Sequence, residues 1–441
     1  MLNLFDFINR FSNFISQWGS VGIFSFLAVS GLIMILIFVR KIYPLIFFLW
    51  VSLMLSGSFN LKIDSLFTLI RWLLIIFISI GVLFSGIKKL PTPSMLLILY
   101  AFVGVISIPL SPNPIWAIQF SIMLIITAGG LGSAFYKEVS TENGIYKLLS
   151  IIESGALFYI GLSIIGLLGF RGGMRYSGVW TSAPLFVIIG GVMLPILLWL
   201  ASDPMLPLTR RVKDGVLFGI IAVLCVFSGE RTGTLAGLVG SLIVILRLKK
   251  RQNIAVFVSI ILILFGILSY TSRYNRQWEF VRYRYFEHGL SGRPERWQKA
   301  LQLCINEPLV PHGIGASNFL GFGFHNAYLV TWYEGGLLGL VLFLSAIVLT
   351  LLRGLKAIFS REDEIRRVGT LVVSVMIALI LTGFAESKFI SPSNIEIVLF
   401  IFIGAMSELL NNPVEIVRKS LNYENSRKSW IKRFLLRAVY H

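Results

Sequence analysis

Apolar runs recur along nearly the whole chain, near residues 21–39, 42–58, 65–87, 94–111, 113–134, 148–169, 183–202, 215–228, 232–247, 254–270, 327–352, 368–385 and 395–410. Most come close to the ~17–25 residues that a helix needs to cross the ~30 Å hydrocarbon layer of a bilayer. The pattern leaves little choice of fold, because a chain inside lipid must satisfy its own backbone hydrogen bonds and a helix does so within one segment. Only 14% of the 441 residues are charged while 56% are hydrophobic, which excludes a soluble globular protein of this length. The expected fold is an all-α polytopic membrane protein with about 12–13 transmembrane helices, one integral membrane domain over residues 1–441. The first run lacks the small-residue cleavage pattern of a signal peptide and reads as a retained span.

Basic residues set the orientation. Arg40/Lys41, Lys88/Lys89, Lys137/Lys147, Arg210/Arg211/Lys213, Arg247/Lys249/Lys250/Arg251, the 353–367 loop and the 418–437 stretch fall on alternate connections, and positively charged loops stay in the cytoplasm. These connections hold 25 of the 39 Lys and Arg residues, so much of the +18 net charge reflects topology and attraction to anionic lipid rather than nucleic-acid binding. Residues 411–441 then form a basic cytoplasmic tail. With 13 spans the N-terminus lies outside, where residues 2–17 would make an interfacial amphipathic helix. Of the 14 basic residues left on the outer side, 11 are Arg. That bias suits a phosphate or pyrophosphate site, because the planar guanidinium donates two parallel hydrogen bonds where an ammonium acts as a point charge. Outer-leaflet headgroups would attract the same side chains.

Three outer connections depart from plain loop composition. Around Arg171–Trp180, glycines permit close backbone approach to a ligand, and Tyr176 and Trp180 offer faces for a sugar; an ordinary turn with interfacial aromatics reads equally well. Ser228–Gly233 is a tight polar link that places Arg231 at or below the membrane surface, facing a ligand or paired with Glu230. Residues 271–326 form the longest polar stretch and the expected extracytoplasmic catalytic segment. In it, Tyr274, Trp278, Tyr283, Tyr285 and Phe286 interleave with Arg273, Arg276, Arg282 and Arg284. Pro294–Cys304 then reads as an amphipathic helix with Trp297, Ala300, Leu301 and Cys304 on one stripe and Arg293 at its start. Gly313, Gly315, Gly321 and Gly323 lead on to His325.

Two cysteines, Cys225 and Cys304, supply no disulfide framework, and His288, His312, His325 and His441 lack zinc-site spacing, so no metal and no cofactor is expected. No nucleotide-binding motif is present, and the driving energy is expected to reside in the substrate itself.

Arg231 within "ERTG", then "SGR" followed by Trp297, then "PHGIG", then "HNAYL" with "EGGLLG" beyond, resembles the O-antigen ligase and polymerase superfamily, the WaaL-type and Wzy-type enzymes of bacterial surface polysaccharide assembly. The resemblance covers roughly residues 170–345; Thr181–Pro184 departs from the Asn-containing turn of many relatives. It implies a GT-C-like membrane glycosyltransferase in the bacterial cytoplasmic membrane with its site facing the periplasm. It further implies a polyprenyl-pyrophosphate-linked glycan donor, outer-side arginines on the pyrophosphate, and an essential histidine. Those roles fall on Arg231, Arg293 and His325, with Arg175 and Arg296 as further candidates for the phosphate and Asn326, Tyr328 and Glu334 as supporting residues.

Residue chemistry gives the same mechanism from below: a histidine titrates near neutral pH and suits a base for an acceptor hydroxyl, while arginines stabilise the leaving pyrophosphate. A polymerase would extend a glycan on a lipid-linked acceptor, with a chain-length regulator as a possible partner; a ligase would use lipid A core. Only 32 positions separate Arg293 from His325, which leaves little outer structure to grip a dissimilar acceptor and favours the polymerase. A flippase would call for mid-membrane charges and inverted repeats.

Overall fold

The computed structural model describes residues 42–56, 64–86, 89–141, 143–170, 174–180, 182–247, 275–287, 292–392 and 394–411. The expected spans at 21–39 and 254–270, the N-terminal amphipathic helix and all but the first residue of the tail lie outside them. Every described element is helical: α1 (Ile42–Leu55), α2 (Asp64–Phe84), α3 (Thr92–Ile106), α4 (Pro114–Ile126), a π-turn at Thr127–Leu131, α5 (Gly132–Val139), α6 (Gly144–Gly169), α7 (Ala183–Ser202), α8 (Leu208–Phe227) and α9 (Arg231–Arg247). After these come α10 (Asn275–Arg282), a π-turn at Tyr283–Glu287, α11 (Arg293–Asn306), α12 (Ala327–Ile358), α13 (Asp363–Gly383) and α14 (Ile395–Leu409).

Among the described residues, six stretches are long and apolar enough to cross a membrane, Phe67–Phe84, Pro114–Val139, Gly144–Leu168, Ala183–Ser202, Ala327–Ile358 and Asp363–Gly383, and α1 and α3 are shorter apolar helices. The protein is an all-α polytopic membrane protein.

Local chemistry sets the helix starts. Asn113 and Ser182 accept hydrogen bonds from Trp116 N (3.1 Å) and Leu185 N (3.4 Å), and Pro114 and Pro184 occupy the first turns, where a missing N–H costs nothing. Glycines then bring the central helices together. A Cβ on Gly191 of α7 would collide with the Gly233 carbonyl of α9, and one on Gly240 of α9 would meet Ser374 O of α13 at 2.6 Å. Small residues of this kind permit backbone contact between helices that lipid alone would not drive together.

Ion pairs gather the ends carrying the basic loops. Arg210 at the start of α8 donates to Glu153 Oε2 through Nε (3.1 Å) and Nη2 (2.7 Å), and Arg353 near the end of α12 pairs with Glu408 of α14 (2.6 Å). Arg367 at the start of α13 bonds Asp203 at the end of α7. Chain direction therefore places the ends of α6, α8 and α13 and the starts of α7, α9 and α12 at the opposite pole, where 275–287 and 292–326 also pack.

α12 differs from the single span expected at 327–352. It is broken at Gly336 (φ 61, ψ −172), a conformation open to glycine. The break leaves the Leu337 N–H to donate to Pro308 O (2.9 Å), while the Tyr333 and Glu334 carbonyls accept from His312 N (3.3 Å) and Gly313 N (3.0 Å). The 308–313 loop thus takes over hydrogen bonds that a continuous helix would make internally. Leu337–Ile358 alone, at 1.5 Å per residue, is about 33 Å long and long enough to cross the bilayer, so Ala327–Gly335 is free to belong to the polar pole.

Candidate active site

Arg231 opens α9, directly after a turn at Ser228–Glu230 in which Gly229 has φ +72. Three backbone bonds fix that turn. The Glu230 N–H donates to Ser228 Oγ (3.0 Å), and the Glu230 carbonyl accepts from Thr234 Oγ1 (2.6 Å) and Tyr285 OH (3.3 Å). The Tyr285 phenol is pushed up to about 12, first by burial, and stays a neutral donor. From α10, Gln277 Nε2 donates to Phe227 O at 2.7 Å, so the segment before "SGR" is bound to the hairpin at two points.

Around Glu230, which is 4% exposed, the fold gathers guanidinium groups from four places in the sequence. Arg175 Nη1 lies 3.4 Å from Glu230 Oε2 and Arg293 Nη2 lies 4.0 Å from Oε1. Arg293 also donates to Thr232 Oγ1 (2.9 Å) and to Glu386 Oε1 (3.4 Å). Arg284 is buried, and its pKa is lowered first by that burial and then by the charges of Arg175, Arg231 and Arg293, with Glu230 opposing. Arg175, Arg231 and Arg293 therefore share one neighbourhood although 118 positions separate the first from the last. Arg296 stands apart, exposed on α11.

His325 lies beside this cluster through α11. One turn beyond Arg293, the Trp297 indole donates to the His325 carbonyl (3.2 Å). Phe324 is buried with Ala300, Cys304, Ala316, Val330 and Tyr333, while Asn326 caps α12 by accepting from Tyr328 N and Leu329 N, both at 3.0 Å. Held on both sides, His325 adopts φ 47, and its ring folds over Gly323, where a Cβ would lie 3.2 Å from Nε2. Left-handed backbone at a non-glycine residue is uncommon and concentrates at functional sites.

The end of α13 joins histidine and arginines from behind. Asn326 Nδ2 donates to Phe384 O (3.3 Å) and Tyr328 OH to Ile380 O (2.9 Å), while Glu386, two residues past Phe384, accepts from Arg293. Glu334 is engaged elsewhere: its buried carboxyl accepts from Ser317 Oγ (2.6 Å) and N (3.3 Å), so its support for His325 would run through the 317–324 strip.

Most of these residues fall within one matched stretch. Residues 216–344 match the family model described as O-Antigen ligase. The match agrees with the resemblance of this stretch to the O-antigen ligase and polymerase superfamily. No curated protein matches the chain. The match contains Arg231, Arg284, Arg293 and His325, whereas Arg175 and Glu386 reach the matched stretch from outside it.

Two sequence expectations need correction. Tyr176 and Trp180 are each 1% exposed and form an aromatic core with Tyr159, Phe186 and Phe227, so neither offers a face to a sugar. Leu301 is exposed and does not share the buried stripe of Ala300 and Cys304. Glu386 and Thr232 had no signal in the sequence as site residues, since each acquires its place through Arg293. Among the described residues, no three His, Cys, Asp or Glu side chains are grouped to hold a metal ion.

Proposed function

We propose that the chain transfers a glycan from a polyprenyl-pyrophosphate carrier to an acceptor hydroxyl on the outer side of the bacterial cytoplasmic membrane. The observation that carries this reading is the convergence of Arg175, Arg231, Arg284 and Arg293 on one half-buried spot linked through α11 to His325. Among the described residues, four guanidiniums lie near two carboxylates, Glu230 and Glu386, an excess of positive charge suited to a pyrophosphate.

In the proposed reaction the acceptor hydroxyl gives its proton to His325 as its oxygen bonds to the anomeric carbon. The bond from that carbon to the phosphate oxygen breaks, and polyprenyl pyrophosphate leaves with its new charge held by the arginines. In-line displacement inverts the anomeric centre, and no metal is invoked. We favour a polymerase, in which the acceptor is another lipid-linked glycan, because only the short helix α11 and the loop after it lie between Arg293 and His325, which leaves little outer structure there. The description of the matching family favours the second reading, a ligase acting on lipid A core or another acceptor.

His325→Ala should lower transfer by ~10²–10⁴-fold while leaving binding of the lipid-linked donor nearly intact, since a positioned base contributes to rate rather than ground-state affinity. Activity of purified protein against the two acceptor classes separates polymerase from ligase, and unchanged activity after EDTA supports the metal-free mechanism. Full activity in His325→Ala would remove the base assignment.

A further inference from the structure

Ion pairs at the two poles of the molecule are built differently. Arg210 holds Glu153 by two hydrogen bonds at 2.7 and 3.1 Å, and Arg353 holds Glu408 at 2.6 Å. Glu230 is equally buried, yet its arginine contacts are 3.4 and 4.0 Å, and Oε2 makes no hydrogen bond among the described residues. Its backbone is fixed on both sides, by Ser228, Thr234 and Tyr285, so the loose carboxylate does not result from a loose chain. Arg284 Nε, in the same cluster, likewise lacks a hydrogen-bond partner among the described residues. The carboxylate therefore acts on the guanidiniums through its field more than through directed bonds.

We propose that Glu230 is an internal counter-anion that limits how tightly the arginine cluster holds a pyrophosphate, so that the polyprenyl-pyrophosphate product leaves after transfer. The inference rests on the reading of this cluster as the pyrophosphate site. In the empty site Glu230 offsets the mutual repulsion of four guanidiniums. Once a pyrophosphate is bound to the same arginines, the carboxylate is a nearby like charge. Such a pair, at an effective dielectric constant of ~20 and a separation of roughly 8–12 Å, changes affinity by about one to one and a half orders of magnitude. Glu230 is in this sense a positioning and affinity-setting residue, not a catalytic one.

The test uses the full chain purified in detergent and titrated with inorganic pyrophosphate. Glu230→Gln is expected to bind about tenfold more tightly than wild type, and Glu230→Asp, which keeps the charge, about as wild type does. With lipid-linked donor, Glu230→Gln should show a lower KM together with a lower kcat, a split that loss of a merely structural contact would not produce. Equal or weaker binding by a folded Glu230→Gln overturns the inference. Should that variant fail to fold, comparison of Arg175→Gln with the charge-balanced Arg175→Gln/Glu230→Gln isolates the carboxylate, and the double variant is expected to bind more tightly. Failure of both Gln variants to fold would make Glu230 structural and overturn the proposal. Wild type that does not bind pyrophosphate, or that binds it as well after Arg293→Ala, would overturn the site reading itself and this inference with it.

Discussion

The Trp297 indole donates to the backbone carbonyl of His325 at 3.2 Å, one helical turn from the Arg293 guanidinium that donates to Thr232. α11 is thus a rigid link with the proposed leaving-group site at one turn and the proposed base at the next. Trp297→Phe removes the donor but keeps most of the ring volume. A lost hydrogen bond of ~0.5–1.5 kcal/mol, expressed in the placement of His325, corresponds to a fall in transfer rate of about 3–10-fold. Pyrophosphate affinity should not move, because Arg293 keeps its contacts with Thr232, Glu386 and Glu230. Parallel measurement of initial transfer rate and pyrophosphate binding checks this; equal losses in both would mean that the whole helix had shifted.

Arg293 reaches Thr232 with Nη1 and Glu386 with Nη2, a fork that an ammonium cannot reproduce. Arg293→Lys should therefore keep the charge, lose the geometry and weaken pyrophosphate binding about tenfold or more. Arg231→Lys is expected to act in the same direction. Titration calorimetry on the two variants reads the effect, and wild-type affinity in both would separate these arginines from the anion.

Much of the fold was legible because apolar runs in a lipid solvent leave helices as the structure, and the alternation of basic connections matches the ion-paired pole seen here. Arg231 and His325 stood out for a similar reason, as polar residues at the ends of apolar runs, and Arg293 as the start of an amphipathic helix in the longest polar stretch. What the sequence hid was decided by tertiary contact. Glu386 follows a span and looks like any interfacial acid until α13 brings it to Arg293. Tyr176 and Trp180 look like interfacial aromatics, and burial is a property of the packed α6 and α7 rather than of their own loop. The break at Gly336 was written as "EGG", yet a glycine pair inside an apolar run marks close packing as often as a kink, and only the 308–313 loop decides between them.

Trp180 serves the opposite purpose to Trp297. Its Nε1 donates to Met54 O on α1 at 2.8 Å, and the ring is buried against Tyr159 and Phe186. Trp180→Phe strands a buried carbonyl and should cost ~1–3 kcal/mol of stability, seen as a lower melting temperature in detergent. Transfer per folded molecule should stay near wild type. A selective loss of glycan affinity without loss of stability would restore the sugar-facing reading of this loop.

Gly336→Ala tests whether the break in α12 shapes the site. At φ 61 and ψ −172 an added Cβ is strained in its own backbone, and it would lie 2.7 Å from the Leu309 carbonyl oxygen, which belongs to a loop fixed by the bonds from Leu337, His312 and Gly313. That oxygen and Pro311 N, at 3.3 Å, are backbone atoms and not the ends of flexible side chains. The strain, of order 1–3 kcal/mol, is relieved if α12 straightens, which returns the Tyr333 carbonyl to Leu337 N–H and releases the 308–313 loop. That loop runs on through Ser317, held by Glu334, to Gly323 and His325. The expected result is a folded protein with a modestly lower melting temperature, near-normal pyrophosphate binding and transfer reduced about tenfold or more. Protease sensitivity confined to the 305–325 segment would locate the change. Wild-type transfer with unaltered proteolysis would show that the break does not govern the placement of His325.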